Sequence, residues 1–163
     1  MMRYLIFVLP LLLVGCLGEN QMKNAVVAQA DELGIALKNA QLETYLDKMA
    51  HFVFVNDEER NQLKQKLQDQ LDYLSSRRNK IIKVQSAIHS DIFENKGYYQ
   101  CMVKQVASIK NDFTIYGSNT YLLAVSKDGE TWKFADVTNF TENIIKQIFP
   151  ELSEDLKFNN KDK

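Results

Sequence analysis

The stretch NTYLLAVSKDGETWKFAD, residues 119–136, decides the architecture. Residues 120–126 (TYLLAVS) are aromatic, aliphatic and β-branched, the composition of a strand. Lys127-Asp128-Gly129-Glu130 comes next as a tight turn, because Asp-Gly tolerates the positive φ that hairpin turns demand. Residues 131–137 (TWKFADV) return as the partner strand. A lone hairpin is marginal in water, so these strands must join a wider sheet with an apolar cover.

Working back from the hairpin, residues 98–109 form a long strand. Tyr99, Cys101, Val103, Ala107 and Ile109 lie on one side of it. Asn95-Lys96-Gly97 is a turn before it, and Lys110-Asn111-Asp112 breaks or bends it. Residues 113–116 form a small further piece of strand. In residues 80–92, Ile82, Val84, Ile88 and Ile92 alternate with Lys83, Gln85, His89 and Asp91, which describes a strand with one wet face.

Before Asn79 the apolar period is helical. Val26, Ala30, Leu33, Leu37 and Ala40 form one stripe, and Gly34 weakens that helix by up to about 1 kcal/mol against Ala. Asn39-Ala40-Gln41 reads as a turn, and Leu42, Tyr45, Leu46 and Met49 continue as a second short helical face. Residues 51–55 (HFVFV) read as a short strand. Asn56 or Asp57 caps a long helix that carries Leu63, Leu67, Leu71 and Leu74, with Glu58 and Glu59 near its positive end. Arg77, Arg78 and Lys80 close it as a solvated end. A last amphipathic helix spans residues 141–149, stopped by Pro150. Helices first and antiparallel strands afterwards indicate an α+β class. The expected architecture is one curved antiparallel sheet packed against N-terminal helices on its concave side.

The chain starts MMRYLIFVLPLLLVGC. Arg3 precedes an apolar run over residues 4–14, shorter than the roughly 20 residues a spanning helix needs. It has the n-region and h-region of an export signal. The ending Leu13-Val14-Gly15-Cys16 resembles the lipobox of bacterial lipoproteins. That resemblance implies removal of residues 1–15, a diacylglycerol on the Cys16 thiol and an acyl chain such as palmitate on the new amine. Two or more chains hold a protein stably to a bilayer. Leu17 stands where an Asp tends to retain Gram-negative lipoproteins at the inner membrane, which implies the periplasmic side of the outer membrane in such a host. Residues 16–22 read as anchor and tether, 23–158 as one domain, and 159–163 as a tail too polar to pack.

The chain has 163 residues and a formal net charge of −1, and loss of Arg3 makes the mature form one unit more negative. Mixed signs without a basic face argue against nucleic acid. Cys101 is the only cysteine besides Cys16. No intrachain disulfide is therefore expected, although an exported protein could hold one. Cys101 reads as a small core residue. Two distant histidines and one thiol give no metal-ligand spacing, and no glycine-rich phosphate loop is present, so neither metal nor cofactor is expected.

The order of elements and residues 119–136 resemble small bacterial proteins with the cone fold of the nuclear-transport-factor-two-like superfamily. Also in keeping are the HFVFV stretch before a long helix, Ser126-Lys127-Asp128-Gly129, Trp132-Lys133-Phe134, and Phe149-Pro150-Glu151-Leu152. The resemblance covers roughly residues 25–158. It implies a pocket between helices and sheet, and related cones commonly form homodimers, here sheet to sheet. The superfamily holds enzymes, binding proteins and interaction modules, so fold alone does not give function.

Gln105, Asn119 and Asp136 interrupt apolar strand rows, and Tyr45 and Met49 could close such a pocket from a helix. These five are the candidate pocket residues. A buried polar group needs a partner, so each is either pocket-lining or paired structurally. Asp136 is equally placed to cap the helix after it, with Thr138 or Asn139. His89 shares a row with polar residues and reads as surface, and His51 opens a short segment. No catalytic set matches the superfamily's enzymes residue by residue. The sequence therefore points to an envelope-anchored module that binds a protein or a small apolar ligand. The alternatives are an immunity or accessory envelope protein, or an enzyme with Asp136 as base and Tyr45 or Asn119 orienting.

Overall fold

The computed structural model describes the backbone of residues 9–158 and the side chains of residues 18–158. The signal segment expected at residues 1–15 falls largely outside that range, as do the Cys16 side chain and the tail expected at 159–163. The described elements are α1 (Leu9–Lys38), α2 (Leu42–Asp47), α3 (Asp57–Ser76), β1 (Lys80–Ile88), β2 (Phe93–Asn95), β3 (Tyr98–Lys110), β4 (Ile115–Ser126), β5 (Lys133–Asp136) and α4 (Glu142–Ile148). The class is α+β, with N-terminal helices packed on a curved, unclosed antiparallel sheet. Among the described residues the sheet has five strands in the order β1-β3-β4-β5, with β2 also paired to β3.

Helix α1 begins well before Lys23, and the stretch expected as a tether, residues 17–22, lies inside it. The Lys23–Glu19 ion pair, 2.6 Å at i,i+4 spacing, supports that extra turn. Val26, Ala30, Leu33 and Ala36 are the fully buried stripe, while Leu37 is half-buried and Ala40 is exposed. Ala40 ends the helix with a φ of 56°. Asn56 caps α3 by accepting from Glu59 N at 2.9 Å, and the Glu59 carboxylate accepts in return from Val55 N. The first bond satisfies one of the helix's orphan donors, and the second ties the residue before the cap to the first turn.

The strand expected at residues 51–55 does not form. That stretch is a turn, closed by Val53 N donating to Ala50 O. Pairing is instead made just before it: Met49 bridges Phe134 in parallel, with Ala50 N on Phe134 O and Phe134 N on Lys48 O. Once Met49 and Ala50 hold the edge of β5, the aromatic residues after them act as plugs, and Val55 is 79% exposed.

Two further expectations change. Residues 113–116 are not a separate piece, because β4 runs unbroken from Ile115 and pairs with β3 along its whole length. Asn111 makes the reversal by accepting on Oδ1 from Phe113 N and Thr114 N. The Asp-Gly turn is wider than a tight hairpin, since pairing stops at Val125↔Lys133. The two-residue turn with positive φ at both centres is Lys96-Gly97, at 49° and 79°, between β2 and β3.

The helices do not share one side. Leu122, Ala124, Phe134, Cys101 and Val103 face α1 and α2. The alternate residues Tyr121, Leu123, Val125 and Met102 face Ile145 of α4 and the Phe149, Leu152 and Leu156 beyond it. A sheet buried on both faces reads as a continuous apolar run, and residues 121–126 are buried without interruption.

Candidate functional site

The space under the helices, where a cone pocket was expected, is filled. Trp132 and Phe134 are 1% and 0% exposed and pack with Leu33, Leu46 and Leu122. Each such side chain stabilises the fold by about 1.5–3 kcal/mol on burial.

The five candidate residues divide into three places. Tyr45, Met49 and Asp136 meet where α2 borders β5. The Tyr45 hydroxyl is pushed up to about 12, first by burial and then by the neighbouring Asp136 charge. Asp136 itself is exposed and accepts from Thr138 N at 2.9 Å and from Thr138 Oγ1 at 2.6 Å. Thr138 Oγ1 in turn accepts from Tyr121 N at 2.9 Å. Asp136 thus fastens the turn after β5 rather than lining a pocket, and it does not cap the next helix as expected, because α4 starts only at Glu142 with Thr141 at its N-cap.

Gln105 is buried on the same sheet face but under α1. Its Nε2 donates to Ala30 O at 2.7 Å and to Ser86 Oγ at 3.2 Å. Asn119 lies opposite Val106, one residue out of phase with Gln105, so it stands on the other face and is exposed. The structure therefore does not bring the five together around one space.

Open grooves occur elsewhere. One of about 440 Å³ lies between α3 and the far end of β3–β4, lined by Asp69, Gln70, Tyr73, Leu74, Ile109 and Ser118. Another of about 290 Å³ lies between the α1–α2 turn and Lys64 and Gln68 of α3. Neither includes a sequence-predicted residue.

Cys101 is wholly buried, and burial pushes its thiol up to about 12. It packs as a small core residue. His89 is exposed with its ring 5.1 Å from that of Tyr121. His51 is exposed beside Phe52, Tyr98 and Phe149. Among the described residues no group of three His, Cys, Asp or Glu is placed to hold a metal. Nor is any helix among them long and apolar enough to cross a membrane.

Two amides that do organise the molecule were missed. Gln29 on α1 donates to Glu130 O at 2.6 Å and accepts from Trp132 N at 2.9 Å, clamping the β4–β5 loop. Gln100, 0% exposed, donates to Glu151 O at 2.6 Å and accepts from Ser153 N at 2.9 Å, fixing the C-terminal segment as a strand neighbour would. The signal for Gln100 was the apolar run of residues 121–125, which already implied a cover on the second face of the sheet. For Gln29 no signal was present, since a polar residue on a helix flank is ordinary. No family model, no curated protein and no solved structure matches the chain.

Proposed function

We propose that the chain is an exported envelope lipoprotein whose cone-like α+β domain binds a protein partner or a small apolar ligand and does no chemistry of its own. The observation that carries this reading is the 1–16 stretch, with Arg3, a short apolar run and Leu13-Val14-Gly15-Cys16. A cysteine bearing several acyl chains stays at a lipid surface, since each buried methylene contributes about 0.8 kcal/mol. In a Gram-negative host, Leu17 in place of Asp favours the periplasmic side of the outer membrane.

The binding half of the reading is supported by how the interior groups are engaged. Gln105 is tied to Ala30 and Ser86, and Asp136 to Thr138, while the space between helices and sheet is filled by Trp132 and Phe134. A general base must reach a substrate proton at hydrogen-bond distance. Asp136 is exposed and already accepts two hydrogen bonds at a turn.

The test is fractionation of the native protein and of Cys16→Ser in cells fed labelled palmitate. The native chain is expected in the membrane fraction carrying label, and the variant without label. Label on both, or on neither with equal membrane retention, overturns the anchor.

A further inference from the structure

The edges of the sheet are not alike. The outer edge of β1 carries Lys80 and Lys83, both exposed, and its register shifts between Ile81 and Lys83. The outer edge of β5 is clasped, since Phe134 N donates to Lys48 O and Phe134 O accepts from Ala50 N. Lysines, bulges and covers are the usual means by which a protein keeps an edge from pairing with another chain. The first half of β4 has none of them. β5 pairs only with residues 122–125. Residues 115–119 are exposed, with β3 on one side and, among the described residues, no strand on the other. Residues 113–126 contain no charged residue and no proline.

The backbone fixes which groups that edge offers. Tyr121 N donates to Thr138 Oγ1 and Tyr121 O accepts from Val137 N, so both point to the β5 side. The register with β3 is unbroken and a strand has period two, so Gly117 and Ile115 direct their N–H and C=O the same way. Ile115 O has a long contact with Thr114 Oγ1, at 3.4 Å, and a carbonyl has a second lone pair. Asn119 continues the row but is already engaged. Beside these groups Ile115 is 59% exposed and Tyr116 41%. The fold does not require glycine at 117. Its φ is not positive, and a Cβ there would meet only Val106 Cγ1, at 3.9 Å. A glycine inside a strand marks a place where another backbone can approach closely.

An antiparallel copy of the same edge fits all of these features. With a two-fold axis through Tyr116, perpendicular to the sheet, Ile115 of each copy lies opposite Gly117 of the other. These pairs carry the edge-directed groups, so each exchanges both N–H···O bonds. Each Ile115 side chain then covers the space where the opposite Gly117 has no Cβ. Tyr116 meets Tyr116 of the second copy as a non-hydrogen-bonded pair, the kind with side chains closest, at a Cα separation of about 4.5 Å. Aromatic pairs so placed stabilise a sheet, and no like charges meet because this edge has none. A foreign strand would satisfy the same hydrogen bonds. The second copy also supplies an isoleucine for the glycine and a tyrosine for the tyrosine.

We propose that residues 115–117 of β4 are a self-pairing edge, at which two copies of the chain join their sheets into one continuous antiparallel sheet. This goes beyond the binding reading above and does not use the anchor. It differs from the sheet-to-sheet homodimer implied by the resemblance, in which faces would meet.

The experiment is sedimentation of the full chain, purified from membranes in density-matched detergent, over about a hundredfold range of concentration. So short a contact stands at the small end of interface sizes, and a reversible monomer–dimer equilibrium is expected. Gly117→Pro removes an edge-directed N–H and leaves the β3 side alone, and is expected to weaken the dimer about tenfold or more. Ile115→Lys and Ile115→Glu are each expected to be monomeric. An equimolar mixture of the two is expected to dimerise, which a folding defect would not produce. Ile148→Lys, at an exposed apolar position on α4, is the control expected to associate normally. The charge-swap result is read the same way whether or not Cys16 is acylated, so failure of the edge and failure of the anchor are distinguishable. A native chain that stays monomeric at every concentration overturns the inference. So does a dimer that survives Gly117→Pro and both Ile115 variants, since it then forms elsewhere. A foreign segment copurified on this edge of a monomer overturns it as well.

Discussion

At Gly34 two effects of opposite sign meet. Replacing a helical glycine by alanine stabilises an isolated helix by about 1 kcal/mol. Here a Cβ would stand 2.3 Å from Val84 Cγ1 and 2.9 Å from Gln105 Nε2. Overpacking a filled site costs about 1–3 kcal/mol, and Val84 is β-branched and stiff. Gly34→Ala is therefore expected to lower the thermal midpoint, and a raised midpoint would refute the close approach of α1 to β1. Residue identity alone could not reveal this, since only the packed α1–β1 distance turns a weak helix former into a requirement. Asp128 is a different case. Its carboxylate accepts from Thr131 N, Glu130 N and Ser126 Oγ, which hold it at about 2, below its ordinary value of 3.8. A depressed carboxylate contributes stability above its unfolded pKa and loses it as pH falls through the folded one. The β4–β5 loop is expected to weaken between about pH 4 and pH 2. Asp128→Asn keeps an acceptor and removes the charge, so its thermal midpoint should vary less with pH across that window than the native one. An unchanged acid limb would contradict it.

At the scale of elements, the cap of α3 and the strand alternation were legible, and the cap of α4 and the edge pairings were not. Asn56 with Glu59 three residues later is a local signal, and the cap formed as the spacing implies. Asn56→Ala is expected to cost about 1 kcal/mol in urea unfolding. The HFVFV stretch misled because strand composition says only that residues suit a half-buried surface. Pairing is decided by which backbone reaches the edge of β5 first, and Met49 does so directly after α2. The C-terminal segment was legible as a helix but not in its placement. Its partner, Gln100, sits in a strand row shared with Lys104 and Lys110, which looks polar. Gln100→Ala leaves the Ser153 N–H without its acceptor, and orphaning a buried donor costs about 1–3 kcal/mol. Faster amide exchange should then be confined to residues 149–156, and uniform protection would show that the amide is not the clasp.

The whole molecule is a sheet covered twice, by α1, α2 and α3 on one side and by α4 with the segment after it on the other. Ile145, Phe149, Leu152 and Leu156 are each no more than 3% exposed. At about 1.5–3 kcal/mol apiece, their loss approaches the whole net stability of a typical domain, about 5–15 kcal/mol. A chain ending before α4 is thus expected to be insoluble, and a soluble, cooperatively melting one would contradict the two-sided core. The candidate site was the least legible feature. Strand rows show which residues share a face, but not whether the space above that face is empty, and here Trp132 and Phe134 fill it. The proposed lipidation of Cys16 carries the most weight. Its most direct test is the mass of the N-terminal peptide from protein purified out of host membranes. Lipidation predicts a peptide beginning at Cys16 and heavier than its sequence by a diacylglyceryl group, with or without a further acyl chain. A peptide that retains residues 1–15, or begins at an unmodified Cys16, would contradict it.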